Sequence, residues 1–122
     1  MLRGEIQLGL WLALDGATAA EIASGAGYDW VLIDGEHGAY DISRIEAQMR
    51  AIAAKDTPIA VRVPAGEEWI LKQVLDIGAQ TVMVPMVETA DQARALARAV
   101  RYPPEGARGL AAGLVRASRQ NE

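Results

Sequence analysis

Residues 27–38 read GYDWVLIDGEHG. Trp30-Val-Leu-Ile is an unbroken apolar run between two aspartates, and Asp34, Glu36 and His37 gather at its far end. A run this short and this apolar marks a strand covered on both faces, as in a parallel sheet. The same character returns in 58–64 (PIAVRVP) and 81–86 (TVMVPM), with a longer apolar stretch at 6–14 (IQLGLWLAL). Strands are therefore expected at Ile6–Leu14, Asp29–Asp34, Pro58–Pro64 and Thr81–Met86. Helical patterns separate them at Thr18–Ala26, Ile42–Lys55, Glu68–Ile77 and Thr89–Arg101. In the second, Ile42, Ile45, Met49 and Ile52 share one face, leaving Arg44, Glu46 and Arg50 for solvent. Thr89 with Gln92 reads as a capping box, and Gly27 and Gly78 stand where the first and third helices should stop.

Four repeated βα units imply right-handed crossovers. Two α/β architectures use them, the doubly wound open sheet and the (β/α)8 TIM barrel. No GxGxxG or Walker-type loop follows a strand, which weakens the nucleotide-binding form. Polar residues collect past the strand ends instead, where a barrel places its chemistry. A complete barrel needs about 250 residues. The 122 residues supply about the first four βα units, so residues 1–122 are expected to form the N-terminal half of a single barrel, the protein continuing past Glu122 or two copies pairing to close the sheet.

Composition narrows the function. Sixteen acidic against twelve basic residues give a net charge of −4, which argues against a nucleic-acid or anionic-membrane footprint. The absence of cysteine excludes disulfides, thiolate metal sites and cysteine nucleophiles. No apolar run approaches the roughly 18 residues of a membrane span, and the first residues lack a signal-peptide pattern. A cytoplasmic protein is expected.

The densest polar cluster, Asp34-Gly-Glu-His37, holds the sole histidine beside two carboxylates at a strand end, an arrangement that can hold and tune a general base. Its bland alternative is Asp34 as a helix cap and His37 as a loop residue. Arg62 lies within a buried-looking strand, where a charge requires a partner. It can steady an enolate or hold a carboxylate, or simply pair with Asp34 or Glu88. Asp76 closes the third helix against its dipole, which suggests a partner, His37 being one candidate, although a solvated aspartate fits as well. Trp11 can wall a pocket or fill core. Lys55 and Lys72 both fall in helical stretches, which disfavours Schiff-base chemistry in this segment.

In order along the chain, GLWLAL (9–14), AEIASGAGYDWVLIDGEH (20–37), VRVP (61–64), LKQVLDIGAQTVMVPMVETADQAR (71–94), RYPPEGARG (101–109) and RASRQN (116–121) resemble the HpcH/HpaI aldolases, the metal-dependent class II pyruvate aldolases. The resemblance implies a (β/α)8 barrel assembled into a trimer or hexamer. It also implies a lyase that reversibly cleaves 4-hydroxy-2-oxo acids to pyruvate and an aldehyde. His37 then corresponds to the catalytic base, Asp76 to its partner, Asp34 to a further active-site carboxylate, Arg62 to the arginine on the pyruvyl oxygen, and Trp11 to the tryptophan shaping the aldehyde side. The implied cofactor is a divalent metal, Mg²⁺ or Mn²⁺ with Co²⁺ as a further option, whose protein ligands are expected beyond residue 122. Ala111-Ala112-Gly113 and Gln120 depart from the family pattern, which bears on substrate range. A catalytically inactive half-barrel that binds keto acids, or a relative acting on malyl- or citramalyl-type thioesters, remains the alternative.

Overall fold

The computed structural model describes residues 4–111 and 113–121; Ala112 and the Gln120 side chain, two of the noted departures, lie outside what it describes. Eight elements alternate: β1 (Gly9–Leu12), α1 (Ala17–Ser24), β2 (Trp30–Asp34), α2 (Ile42–Ala53), β3 (Ile59–Arg62), α3 (Glu68–Asp76), β4 (Thr81–Met83) and α4 (Ala90–Ala99), followed by a 3₁₀ turn at Arg116–Asn121. Each expected strand and helix is present, with ends shifted by up to three residues, nearly all of them inward.

All four strands are parallel and lie in the order β1-β2-β3-β4. A doubly wound sheet reverses its strand order at a switch point; this one never does. Right-handed crossovers without a reversal put every helix on one face, as in four successive units of a (β/α)8 barrel. Leu12, Val31, Ile33, Val61 and Val63 belong to the core that the sheet shares with Ile45, Met49 and Ile52 of α2 and with Ile70, Leu71 and Val74 of α3. The opposite, inner face is read from the register. Trp11 pairs with Leu32 on one level, and Asp34, Arg62 and Met83 align on the next, at the C-terminal ends of their strands.

Coverage on both faces holds for β2, whose residues 31–34 are all buried. It does not hold for β4, where Thr81 and Met83 are exposed. The reason is position: β1 and β4 are the sheet's edges, each with one hydrogen-bonded neighbour.

Local chemistry sets the helix ends. Thr89 and Gln92 form the capping box, and Asp41, not Asp34, caps α2 by accepting from the Arg44 N–H. Past α3, Gly78 at φ +102° closes a Schellman motif, its N–H reaching the Leu75 carbonyl and the Ala79 N–H reaching Val74. Among the described residues, no helix is long and apolar enough to cross a membrane.

Candidate active site at the strand rim

Asp34 is the last residue of β2 and Arg62 the last of β3, and the register sets them side by side on the inner face. Their contact is a two-pronged one. Arg62 Nε donates to Asp34 Oδ1 at 2.9 Å and Nη2 to Oδ2 at 2.6 Å. This fork-to-carboxylate geometry is the strong form of the ion pair. Trp11 Nε1 also donates to Oδ2, at 2.9 Å, and the Arg62 guanidinium lies 4.8 Å from the centre of the Trp11 ring. The backbone N–H groups of Glu36 and His37 both donate to Oδ1, at 3.1 and 3.2 Å. Asp34 therefore folds the loop after β2 around itself, and only 3% of it remains exposed.

Two glycines permit this. A Cβ on Gly35 would stand 2.6 Å from the Arg62 carbonyl oxygen, which accepts the Gly35 N–H, and one on Gly38 would stand 2.3 Å from the Asp34 carbonyl oxygen. Any side chain there would push the loop off the strand ends.

The Arg62 hydrogen bonds hold the Asp34 carboxyl far below the usual carboxylate range, against the opposing pull of burial and with help from Trp11 and the two backbone donors. A carboxyl lowered on folding contributes stability that is complete above its unfolded pKa, about 3.9, and is lost as pH falls through the folded value. Comparing denaturant unfolding of wild type and Asp34→Asn from pH 7 to pH 3 should show the largest gap at neutral pH. That gap should narrow only below about pH 4; a gap that is constant with pH would contradict the assignment.

Glu36 is the residue that sequence reading quoted in the motif but left out of the site. Its Oε2 lies 2.6 Å from Arg62 Nη1, on the side of the guanidinium away from Asp34's two contacts. Its Oε1 lies 3.8 Å from Nε2 of His37, whose side chain is 73% exposed. The signal was available: a charged strand-end arginine facing two carboxylates two residues apart can engage both. The pairing of Arg62 with Asp34, one of the alternatives left open, is present, whereas Glu88 sits instead at the start of α4, its N–H donating to Gln92 Oε1.

Within this chain Asp76 is placed with Arg108 rather than beside His37. It ends α3, which starts near the rim after β3 and runs back toward the N-terminal end of β4, about 13 Å along a nine-residue helix. There its carboxylate takes Arg108 Nη2 at 2.7 Å, with both side chains largely buried, and the Arg108 guanidinium lies 4.6 Å from the centre of the Tyr102 ring. Trp11, expected to wall a pocket or fill core, also joins the polar cluster through its indole N–H.

A second feature of the rim is an apolar cavity of about 320 Å³ between the loops after β3 and β4, bordered by Pro64, Val84, Met86 and Leu96. Beside it Met86 holds φ +59°. As to a metal, among the described residues no three His, Asp or Glu side chains lie together to hold one. Asp34 is saturated by its five donors and Glu36 is turned to Arg62. The described residues do not fit a divalent ion.

Comparison with known proteins agrees with the fold. The HpcH/HpaI aldolase/citrate lyase family matches residues 7–121. A 4-hydroxy-2-oxovalerate aldolase of Novosphingobium aromaticivorans is 58% identical over 117 residues, covering 95% of this chain and 44% of that protein. A hydroxypyruvate/pyruvate aldolase of Roseobacter denitrificans is 53% identical over 115 residues, 94% of this chain and 45% of that protein. The crystal structure of an HpcH/HpaI aldolase/citrate lyase family protein from Burkholderia cenocepacia superposes with a TM-score of 0.89 at 46% identity, covering 96% of this chain and 48% of that one. The chain thus spans a little under half the length of these relatives. With the family match running through nearly all of it, the chain belongs to the HpcH/HpaI aldolase/citrate lyase family.

Proposed function

We propose that this chain is the N-terminal half of a (β/α)8 pyruvate aldolase that reversibly cleaves 4-hydroxy-2-oxo acids to pyruvate and an aldehyde. The observation that carries the proposal is the Arg62 guanidinium, fixed at the strand rim by a buried carboxylate and joined through Glu36 to an exposed imidazole. The names of the most similar relatives support it from a separate direction.

Breaking the C3–C4 bond of such an acid leaves an electron pair that is delocalised onto the 2-oxo oxygen as an enolate. At the same time the 4-hydroxyl loses its proton and becomes the aldehyde carbonyl. Arg62 is suited to the first task, because a preorganised cation at the site of developing charge stabilises the transition state without reorganising. His37 is suited to the second, as an accessible base at the same rim. Asp34 and Trp11 hold the guanidinium in place, and Trp11 borders the side from which the aldehyde fragment would leave.

The reading carries a divalent metal, Mg²⁺ or Mn²⁺, held by ligands other than the residues described here, and no step above passes through it. Its partners are a small 2-oxo acid and an aldehyde, its setting is the cytoplasm, and its assembly is a homo-oligomer. Since α3 takes Asp76 away from the rim, an Asp76 that serves His37 has to come from a second copy. The test is release of pyruvate by the natural-length protein from a panel of 4-hydroxy-2-oxo acids, with Mg²⁺ and with EDTA. Metal-dependent release is expected; no release from any member of the panel would overturn the proposal.

A further inference from the structure

Arg62 offers its oxygen-binding edges to two carboxylates, which hold it very differently. Asp34 takes Nε and Nη2 by hydrogen bonds and is itself gripped by Trp11 Nε1 and two backbone N–H groups. It is buried and cannot leave without orphaning all five donors. Glu36 takes Nη1 through a single 2.6 Å ion pair, and its side chain remains 17% exposed. With one face of the guanidinium on the Trp11 ring and its Nε–Nη2 edge on Asp34, an incoming anionic oxygen is left the Nη1 side. Glu36 already stands on that side.

From this we propose that Glu36 is an exchangeable carboxylate: it stands on Arg62 where the substrate's anionic oxygen belongs, and substrate binding displaces it toward His37. The inference rests on the aldolase reading and gives the same site a built-in competitor. Charge supplies the direction. Two carboxylates on one guanidinium already leave the cluster at net −1, and a 2-oxo acid adds another negative charge. Like charges at this separation repel, so the less firmly bonded carboxylate yields. Its nearest alternative is close at hand, since the other oxygen of the same group lies 3.8 Å from His37 Nε2. Moved there, Glu36 can steady the imidazolium that forms when His37 accepts the hydroxyl proton. Among the described residues, the charged groups near that ring are Glu36 itself, Asp34, which accepts the backbone N–H of His37, and Arg62 beyond Glu36; the side chain is otherwise largely in solvent. Glu36 is thus a positioning residue, acting through Arg62 and His37.

A site that must first release an internal partner binds with its affinity reduced by the fraction of molecules already free. Removing the competitor's charge should therefore tighten binding. In the natural-length protein, titration calorimetry with oxalate, a planar mimic of the pyruvate enolate, should show a Kd about three- to tenfold lower for Glu36→Gln than for wild type. KM for the 4-hydroxy-2-oxo acid should fall with it, and kcat should fall as well, because His37 loses the carboxylate it would receive. Glu36→Asp, one methylene shorter and unable to keep the Nη1 contact, should bind oxalate at least as tightly as wild type. Weaker or unchanged oxalate binding in both variants would overturn the inference, since a carboxylate that only oriented Arg62 would loosen binding on removal. Wild-type protein that binds no oxalate and releases no pyruvate would remove the aldolase reading and this inference with it. Wild-type protein that does both while the variants bind no more tightly would remove this inference alone.

Discussion

Arg62→Ala is expected to lower kcat/KM by about 10²–10³-fold, the usual effect of deleting one preorganised donor to a developing oxyanion. It should also lower the melting temperature. The buried Asp34 would keep Trp11 and two backbone donors but lose the cation that makes its ionised form tolerable. The two effects separate with Arg62→Lys. An ammonium restores a positive charge but cannot reproduce the two-pronged contact to Asp34 while reaching a substrate oxygen. Arg62→Lys should therefore recover part of the thermal stability while turnover stays near that of Arg62→Ala. Thermal melts alongside pyruvate release measure both. Wild-type turnover in either variant would take Arg62 out of the chemistry.

His37→Ala should have the opposite profile. The imidazole is 73% exposed and, among the described residues, its close polar side-chain neighbour is Glu36 at 3.8 Å, so the melting temperature should barely move. Loss of a general base should lower kcat by about 10²–10⁴-fold. Asp76→Asn provides the contrasting case. Its carboxylate binds a largely buried Arg108 far from the rim, so stability should drop in any assembly state. If a second copy's Asp76 serves His37, co-assembly of His37→Ala chains with Asp76→Asn chains should restore part of the activity that each has lost alone. No restoration would leave Asp76 as a structural carboxylate.

The sequence made the βα units legible because the buried strands are apolar runs ended by a polar residue, and the third and fourth helices carry their own stop or start signal. Gly78, Thr89 and the α2 face at Ile45, Met49 and Ile52 all act as read. The first strand was read too long. Ile6, Leu8 and Leu14 are apolar but exposed, and the pairing of this edge strand runs from Gly9 to Leu12 alone. Apolar character there reports a surface, not a ladder. The barrel was read over the open sheet from what the strands lack, a GxGxxG or Walker-type loop, and from the polar residues past their ends, and the unreversed strand order agrees; the order itself leaves no mark within a strand.

At the site, the Arg62–Asp34 pair could be anticipated because a charge within a strand needs a partner nearby. The links from Trp11 to Asp34 and from Glu36 to Arg62 join residues 23 and 26 positions apart and follow from strand register and loop path, which the chain order does not state. The Asp76 pairing is a different case. A helix after a parallel strand must run back toward the start of the next one, so a residue at its last turn belongs to the far end of the sheet. That geometry was implicit in the expected helix, and it separates Asp76 from His37 within one chain.

The most direct test of the account is whether this rim makes a pyruvate enolate, a step that needs no knowledge of the aldehyde. Natural-length protein incubated with pyruvate in D₂O can be followed by proton NMR of the methyl signal. The account predicts enzyme-dependent loss of that signal through exchange at C3 for wild type, falling to near the uncatalysed rate in Arg62→Ala. Absence of exchange in wild type, or exchange that persists undiminished without Arg62, would contradict it.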